Sequence, residues 1–356
     1  MSDIVFEVRK GVGLLTLNRP RALNALTLDM VRDLTAVLLA WRDDPSVKAA
    51  AIRGQGKEAA FGAFCAGGDI RFFHQAALAG DPRLEDFFTE EYCLDHLVHG
   101  FGKPFIAFMD GIVMGGGMGI AQGACLRIAT ERTKMAMPET NIGLFPDVGG
   151  GYFLGRCPGH VGEYLALTGH VITGADAVAA GLADAVIDSG ELPPLWAQLA
   201  AGAVPAAGDL KPADAPSAST LPGNRAAIDR FFALPTVKDI VSALEADPSP
   251  WAAETAISLR KRSPLMLHVV LEQVRRGRHM SLADDLRMER GLVRNCFHIR
   301  PGAAGETVEG IRALAIDKDH RPRWNPARIE DVTPDMVAAY FETPWPAHAH
   351  PLRHLA

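Results

Sequence analysis

Short β-prone runs punctuated by glycine alternate with helical patterns through residues 1–190, and nothing else in the chain constrains its fold as strongly. Apolar residues at 4–8 and 14–17 flank Lys10-Gly11-Val12-Gly13, the pattern of a hairpin. Thr27 then precedes Leu28, Val31, Leu34, Leu38 and Trp41, whose spacing predicts a capped helix with one apolar face. Further short strands are expected at 49–52, 105–109, 128–129, 135–137 and 183–187, with helical patterns between most of them. Repeated strand–strand–helix alternation indicates an α/β fold with mostly parallel pairing.

The texture changes near residue 190. Pro193, Pro194, Pro205, Pro212, Pro216 and Pro222 sit among Ala, Gly and Ser, which reads as a linker over 191–223. Beyond it strand signals almost vanish. Ser263-Pro264 reads as a cap and first helical position, and Ser281-Leu282-Ala283-Asp284 as a capping box before a helix running towards Cys296. Residues 306–316 give another helical stretch. The expected organisation is an α/β core over 1–190, the linker, and a mostly helical region over 224–356 packing on the core.

Composition removes several classes of function. A chain of 356 residues buries a sizeable core without staples. With Lys+Arg 36 against Asp+Glu 42 and a net charge of -6, nucleic acid is not an expected partner. The 5 cysteines are odd in number and form no CxxC pair, which excludes a disulfide scaffold or zinc module and fits a reducing, cytoplasmic setting. No apolar run approaches the ~18 residues of a membrane span. There is no GxSxG elbow, no HExxH and no GxxxxGK[ST], and Gly115-Gly116-Gly117-Met118-Gly119 does not spell GxGxxG. No nucleotide cofactor or metal is therefore expected. His348, His350 and His354 could hold a metal weakly, but a solvated tail is the plainer reading.

Three segments remain. Phe64-Cys65-Ala66-Gly67-Gly68-Asp69-Ile70 and the stretch from Asp110 through Gly119 each follow a strand and open a helical pattern. Either is a tight strand-to-helix turn or half of an oxyanion hole, since helix starts present free N–H groups and glycine permits close approach. The third runs Met137-Pro138-Glu139-Thr140-Asn141-Ile142-Gly143-Leu144-Phe145-Pro146-Asp147-Val148-Gly149. It places Glu139 and Asp147 in an apolar, glycine-rich loop, where lost hydration raises a carboxyl pKa towards that of a usable base. The plainer alternative makes both loop and cap residues, with Asp147 capping a helix that starts near Gly149.

Together and in this order these segments resemble the crotonase (enoyl-CoA hydratase/isomerase) superfamily. The opening Leu17-Asn18-Arg19-Pro20-Arg21-Ala22-Leu23-Asn24-Ala25-Leu26 is similar to its first CoA-contacting loop. Three stretches resemble its 3-hydroxyisobutyryl-CoA hydrolase branch: Glu90-Glu91-Tyr92 before Lys103-Pro104, residues 139–154, and Glu309-Gly310-Ile311-Arg312 through Asp319 with Pro322-Arg323-Trp324-Asn325-Pro326. The resemblance implies a crotonase-like spiral of repeated ββα units with a C-terminal helical region. It implies an acyl-CoA thioester as substrate, CoA being part of that substrate and not a cofactor, and a step like that of valine breakdown. The thioester oxygen would lie between the N–H groups of Gly68 and Gly116. Arg21, Ala22, Leu23, Ala66, Asp69 and Ile70 would contact CoA.

Within the family, hydratases place a second carboxylate three residues after the second oxyanion glycine. Here that position is Gly119, which has no side chain. The hydrolase pattern uses Glu139 and Asp147, with Glu91 at a substrate-contacting position, and all three are present. The resemblance thus implies hydrolysis of a short 3-hydroxyacyl-CoA, 3-hydroxyisobutyryl-CoA or 3-hydroxypropionyl-CoA. The alternatives are an enoyl-CoA hydratase or isomerase using Glu139, with Glu91 as a displaced partner, and a non-catalytic CoA-binding protein. Crotonase relatives often form trimers or trimer pairs, which implies a homo-oligomer unless the C-terminal helices cover that surface.

Overall fold

The computed structural model describes residues 2–214 and 218–356; Pro216 of the proline-rich stretch lies outside the described residues. The chain divides into two compact units that interleave along the sequence. The first comprises Met1–Gly68, Cys93–Ala136 and Val171–Gly223, and the second Asp69–Tyr92, Met137–His170 and Asn224–Ala356. This differs from the expected division into 1–190 and 224–356: residues 69–92 and 137–170 belong with the C-terminal helices.

The first unit holds the strands: β1 (Ile4–Arg9), β2 (Val12–Leu17), β3 (Ala49–Gly54), β4 (Phe105–Met109), β5 (Ile112–Met114), β6 (Leu126–Thr130), β7 (Lys134–Ala136), β8 (Ile172–Thr173) and β9 (Ala185–Ile187). One sheet has the order β1-β2-β3-β4-β6-β9 and a small one the order β5-β7-β8. The β1–β2 hairpin is antiparallel, and the later pairs of the large sheet are parallel, as the alternation implies. The helix Leu28–Asp43 begins where expected, with Thr27 accepting the Met30 N–H at 3.2 Å. The minimal strands β5 and β8 escaped the sequence reading because two or three residues carry no period.

The expected linker is partly core. Leu192–Ala200 is a helix with prolines in its first turn, where a missing N–H costs nothing. Its Leu192, Leu195 and Leu199 join Leu14, Phe61, Phe108 and Ile128 in one buried cluster. Further on, Asp176 Oδ1 accepts from Ser219 Oγ (2.6 Å), Thr220 N (2.8 Å) and Leu221 N (2.9 Å), so that stretch is fastened as well.

The second unit is helical. Ser263 caps Pro264–Gly277 as the sequence indicates, and Ser281 caps Leu282–His298 but without the expected box, since Asp284 Oδ2 accepts from the Ser281 hydroxyl at 2.8 Å. The stretch expected at 306–316 is an α-helix, Glu306–Ile311, followed by a π turn, Arg312–Ile316. Within it Arg312 gathers Glu309 (2.9 Å), Asp317 (2.5 Å) and Asp319 (2.8 Å), so this signature stretch folds as an ion-pair network. The histidine tail is not wholly solvated: His350 is buried, and its Nδ1 accepts the Leu352 N–H at 3.0 Å.

If Leu195 belongs to the core, Leu195→Ala lowers unfolding free energy by about 2–5 kcal/mol in denaturant titration. A cost below about 0.5 kcal/mol, usual for surface positions, would return this segment to a linker.

Candidate active site

In the first unit the glycine turns are stapled together through their backbones. Cys65 N donates to Ile112 O (3.0 Å), and Met114 N donates to Cys65 O (2.9 Å). Gly67 has φ +98, and a Cβ there would stand 3.3 Å from Met114 O and 3.5 Å from Gly116 N. A Cβ on Gly117 would fall 2.5 Å from Cys65 O. Both turns therefore need glycine to come this close. Gly116 is the first residue of a short helix, Gly116–Gln122, so its N–H lies outside the helical ladder. Gly68 and Gly116 are thus brought to adjacent turns, Gly68 bridged to Leu26 and Gly116 two residues after β5.

The expected CoA loop joins the same turns. Ala66 N donates to Leu23 O (3.0 Å), and Leu26 N to Gly67 O (2.8 Å). Asn24, which the sequence reading passed over, fixes this arrangement: its buried amide donates to Ala63 O (2.9 Å) and Phe64 O (3.1 Å). Arg21 and Ala22 are exposed on the adjoining 3-10 turn Pro20–Ala22. In the second unit Asp69 caps the helix Ile70–Ala79 by accepting the Phe72 N–H at 3.4 Å, a structural duty.

The second unit carries the carboxyl groups. Glu139 opens the 3-10 turn Glu139–Ile142, which ends on Gly143 at φ +67. That turn rests on the helix Glu306–Ile311. A Cβ on Gly143 would stand 2.4 Å from Glu306 O, and one on Gly310 would stand 2.3 Å from Ile142 O. Thr307 Oγ1 donates to Gly143 O at 2.7 Å. The Glu309-Gly310 stretch thus holds the Glu139 turn by close backbone approach.

Asp147 does not cap the following helix. That helix is Gly150–Gly155, with Gly149 as its cap residue. Its N-terminal donors go to a distant helix instead: Glu289 Oε2 accepts from Gly149 N (2.8 Å), Glu289 Oε1 from Gly151 N (2.9 Å), and Asp285 Oδ2 from Tyr152 N (2.8 Å). The Asp147 carboxylate is left for another partner, and Tyr92 Oη donates to its Oδ2 at 2.9 Å. The residue between, Val148, is left-handed at φ +56. A β-branched residue held there costs about 1–3 kcal/mol, which the surroundings must offset.

Glu139 and Asp147 are each 6% exposed, and among the described residues no Lys or Arg pairs with either. Burial pushes the Glu139 carboxyl well above its ordinary value, and the Asp147 charge raises it further. Burial raises Asp147 to about 7, and the Tyr92 hydrogen bond acts against that rise. Tyr92 itself is pushed well up by burial and by the Asp147 charge, so it stays neutral and remains a donor. Asp147 therefore titrates near neutral pH, the range in which a carboxylate serves as a base, while Glu139 stays well above its ordinary value. Glu91 is 2% exposed, one residue before Tyr92 on the helix Arg83–His99. Asp285 and Glu289 escaped the sequence reading, which quoted Tyr92 but gave it no role. The available signal was an acid pair at i, i+4 on a helix whose neighbours Leu286, Leu292 and Val293 are core.

Comparison with known proteins follows the same lines. A family described as enoyl-CoA hydratase/isomerase matches residues 12–341. A chicken (Gallus gallus) protein named 3-hydroxyisobutyryl-CoA hydrolase, mitochondrial, is 39% identical over 351 residues, covering 96% of this chain and 89% of its own. A zebrafish (Danio rerio) protein of the same name is 39% identical, with 96% and 90% covered. Among solved structures, a carnitinyl-CoA dehydratase from Mycobacterium thermoresistibile superposes with a TM-score of 0.89 at 39% identity, covering 99% of both chains. An enoyl-CoA hydratase from Rhodobacter sphaeroides gives 0.88 at 38% identity, with 96% and 98% covered.

Because the Tyr92 hydrogen bond lowers the Asp147 pKa, Tyr92→Phe should move its titration above about 7. Carboxyl-labelled infrared difference spectra across pH would show this, and an unmoved titration would remove Tyr92 as the donor that matters.

Proposed function

The chain belongs to the enoyl-CoA hydratase/isomerase family, and within it we propose that it hydrolyses the thioester of a short 3-hydroxyacyl-CoA. The acyl group is 3-hydroxyisobutyryl or 3-hydroxypropionyl, and the step belongs to valine breakdown. The observation that carries this is the pairing of Glu139 with Asp147 in one apolar, cation-free setting. Hydration of a double bond asks instead for a carboxylate at position 119, which is glycine in a helix whose residues 116–121 are buried. The chicken and zebrafish names agree with hydrolysis, whereas the names of the two solved structures speak for hydration or its reverse. In that second reading Glu91 would have to supply the missing carboxylate.

In the proposed reaction the thioester oxygen takes hydrogen bonds from the N–H groups of Gly68 and Gly116, whose turns glycine packing holds rigid. Glu139 either draws a proton from a water that adds to the acyl carbon or attacks that carbon itself to give a mixed anhydride, which water then opens. The carbon–sulfur bond breaks in either route: in the first the proton drawn from water passes to the departing thiolate with help from Asp147, and in the second Asp147 protonates the thiolate as it leaves and regains its proton from the water that opens the anhydride. Asp147 and Glu91 hydrogen-bond the acyl hydroxyl. CoA lies along Arg21, Ala22, Leu23, Ala66, Asp69 and Ile70. An odd number of cysteines with no CxxC pair suits a reducing, cytoplasmic setting.

Two variants test these roles. Glu139→Gln should abolish thiol release from 3-hydroxyisobutyryl-CoA, whereas near wild-type turnover would sink both routes. Asp147→Asn should lower kcat by about 10²-fold or more, and an effect confined to KM would reassign Asp147 to binding. Isobutyryl-CoA, lacking the hydroxyl, should be turned over far more slowly, since a site built for a hydroxyl can discriminate by up to about 10⁴-fold. Stability gives a separate check. Glu139 holds its proton more tightly folded than unfolded, so between its ordinary value of 4.5 and its raised one the folded state binds more protons. Stability therefore falls as pH rises through that window. Glu139→Gln removes this loss, so its melting temperature should gain on wild type as pH rises above about 5. A constant difference would contradict the raised value.

A further inference from the structure

We propose that Glu289 is a positioning residue for the reaction: it clamps the backbone on the C-terminal side of Asp147 and thereby fixes where that carboxylate points, with Asp285 as the neighbour that lets it stay charged. The assignment of a reaction to Asp147 rests on the function proposed above; the clamp itself rests on geometry alone. Glu289 is 0% exposed, and both its oxygens are engaged, Oε2 by Gly149 N (2.8 Å), Oε1 by Gly151 N (2.9 Å) and Gln273 Nε2 (2.9 Å). Gln273 Nε2 also donates to Pro146 O at 2.6 Å. Asp147 and Val148 are therefore bracketed: Pro146 is held on one side, Gly149 and Gly151 on the other, all through one carboxylate and one amide. The left-handed Val148 between them shows that the loop is held in a conformation it would not choose.

Asp285 lies one helical turn before Glu289 and is equally buried. Two carboxylates this close in a dry interior cannot both ionise: burial raises both, and on Asp285 a hydrogen bond shared with Glu289 works against that rise. Three N–H contacts reach Glu289 while Asp285 Oδ2 receives only Tyr152 N, and Asp285 Oδ1 has no partner among the described residues. The shared proton therefore resides on Asp285, and Glu289 carries the charge that its amide donors favour. The next residue, Arg290, bonds Glu85 (2.5 Å) and Thr89 (2.9 Å) on the helix that carries Tyr92. One turn of the Leu282–His298 helix thus grips both partners of the Tyr92–Asp147 hydrogen bond.

The test compares three full-length variants. Glu289→Gln turns an NH2 group towards backbone N–H donors. It should cut kcat for thiol release about 10²-fold with KM within about threefold, as misplacement of a reacting group does. Amide exchange at Gly149 and Gly151 should accelerate in the same variant. Asp285→Asn supplies a permanent donor in place of the shared proton and should cost at most about a fifth of the turnover-lowering factor of Glu289→Gln. Gln273→Met keeps the volume, loses the Pro146 contact, and should lower kcat several-fold while folding normally; it decides the matter if Glu289→Gln does not fold. The proposal is overturned by wild-type amide protection and kcat in a folded Glu289→Gln or Gln273→Met, or by Asp285→Asn being as damaging as Glu289→Gln. Should the wild-type chain release no thiol from any acyl-CoA, the functional reading fails, while amide exchange still decides the clamp.

Discussion

Placing a carboxylate in an apolar interior costs several kcal/mol unless something compensates it, and neutralisation is the usual escape. The second unit of this chain buries Glu139, Asp147, Asp285 and Glu289, and among the described residues none of the four forms an ion pair with an arginine or lysine, Arg156 acting on Asp285 only through its field. Backbone N–H groups, the Gln273 amide and one phenol compensate Asp147, Asp285 and Glu289 instead. Such donors stabilise a carboxylate without fixing its proton permanently, as an ion pair would. Asp147 therefore comes to rest near neutrality, where a small change in surroundings decides whether it holds a proton.

The division of labour among these acids follows from the glycines. A glycine-rich helix start, Gly149-Gly150-Gly151, exposes N–H groups that must be satisfied, and the nearest carboxylate in sequence is Asp147. Asp285 and Glu289 take that duty, so Asp147 is released to Tyr92. The same logic sets the Glu139 turn, where Gly143 and Gly310 let the Glu306–Ile311 helix approach the backbone and Thr307 pins the turn's last carbonyl. In the first unit Gly67 and Gly117 let two strand-to-helix turns meet. Each placement spends glycine on proximity, and the surrounding side chains then hold what proximity allows.

Much of this was legible in the chain. The hairpin, the Thr27-capped helix, the parallel strands and the serine caps at 263 and 281 are local signals and fold as they read. Glu139 and Asp147 were legible because acids in an apolar, glycine-rich loop contradict their surroundings. The helix Leu192–Ala200 was hidden by its own prolines, although Leu192, Leu195 and Leu199 are spaced for one face. The interleaving of the units was hidden because it depends on which segments pack together, not on composition. The roles of Tyr92, Asp285 and Glu289 were hidden because their partners lie 55 to 140 residues away. Resemblance to the hydrolase branch supplied what local signals could not, the expectation that Gly119 and Asp147 matter together.

The central claim is that Glu139 and Asp147 cleave a thioester and do not hydrate a double bond. One purified sample settles it when free thiol release from 3-hydroxyisobutyryl-CoA and loss of enoyl absorbance from crotonyl-CoA are followed side by side. The account predicts fast thiol release with little loss of enoyl absorbance. Hydration without thiol release would contradict it, and would mean that a carboxylate other than one at position 119 completes a hydratase site.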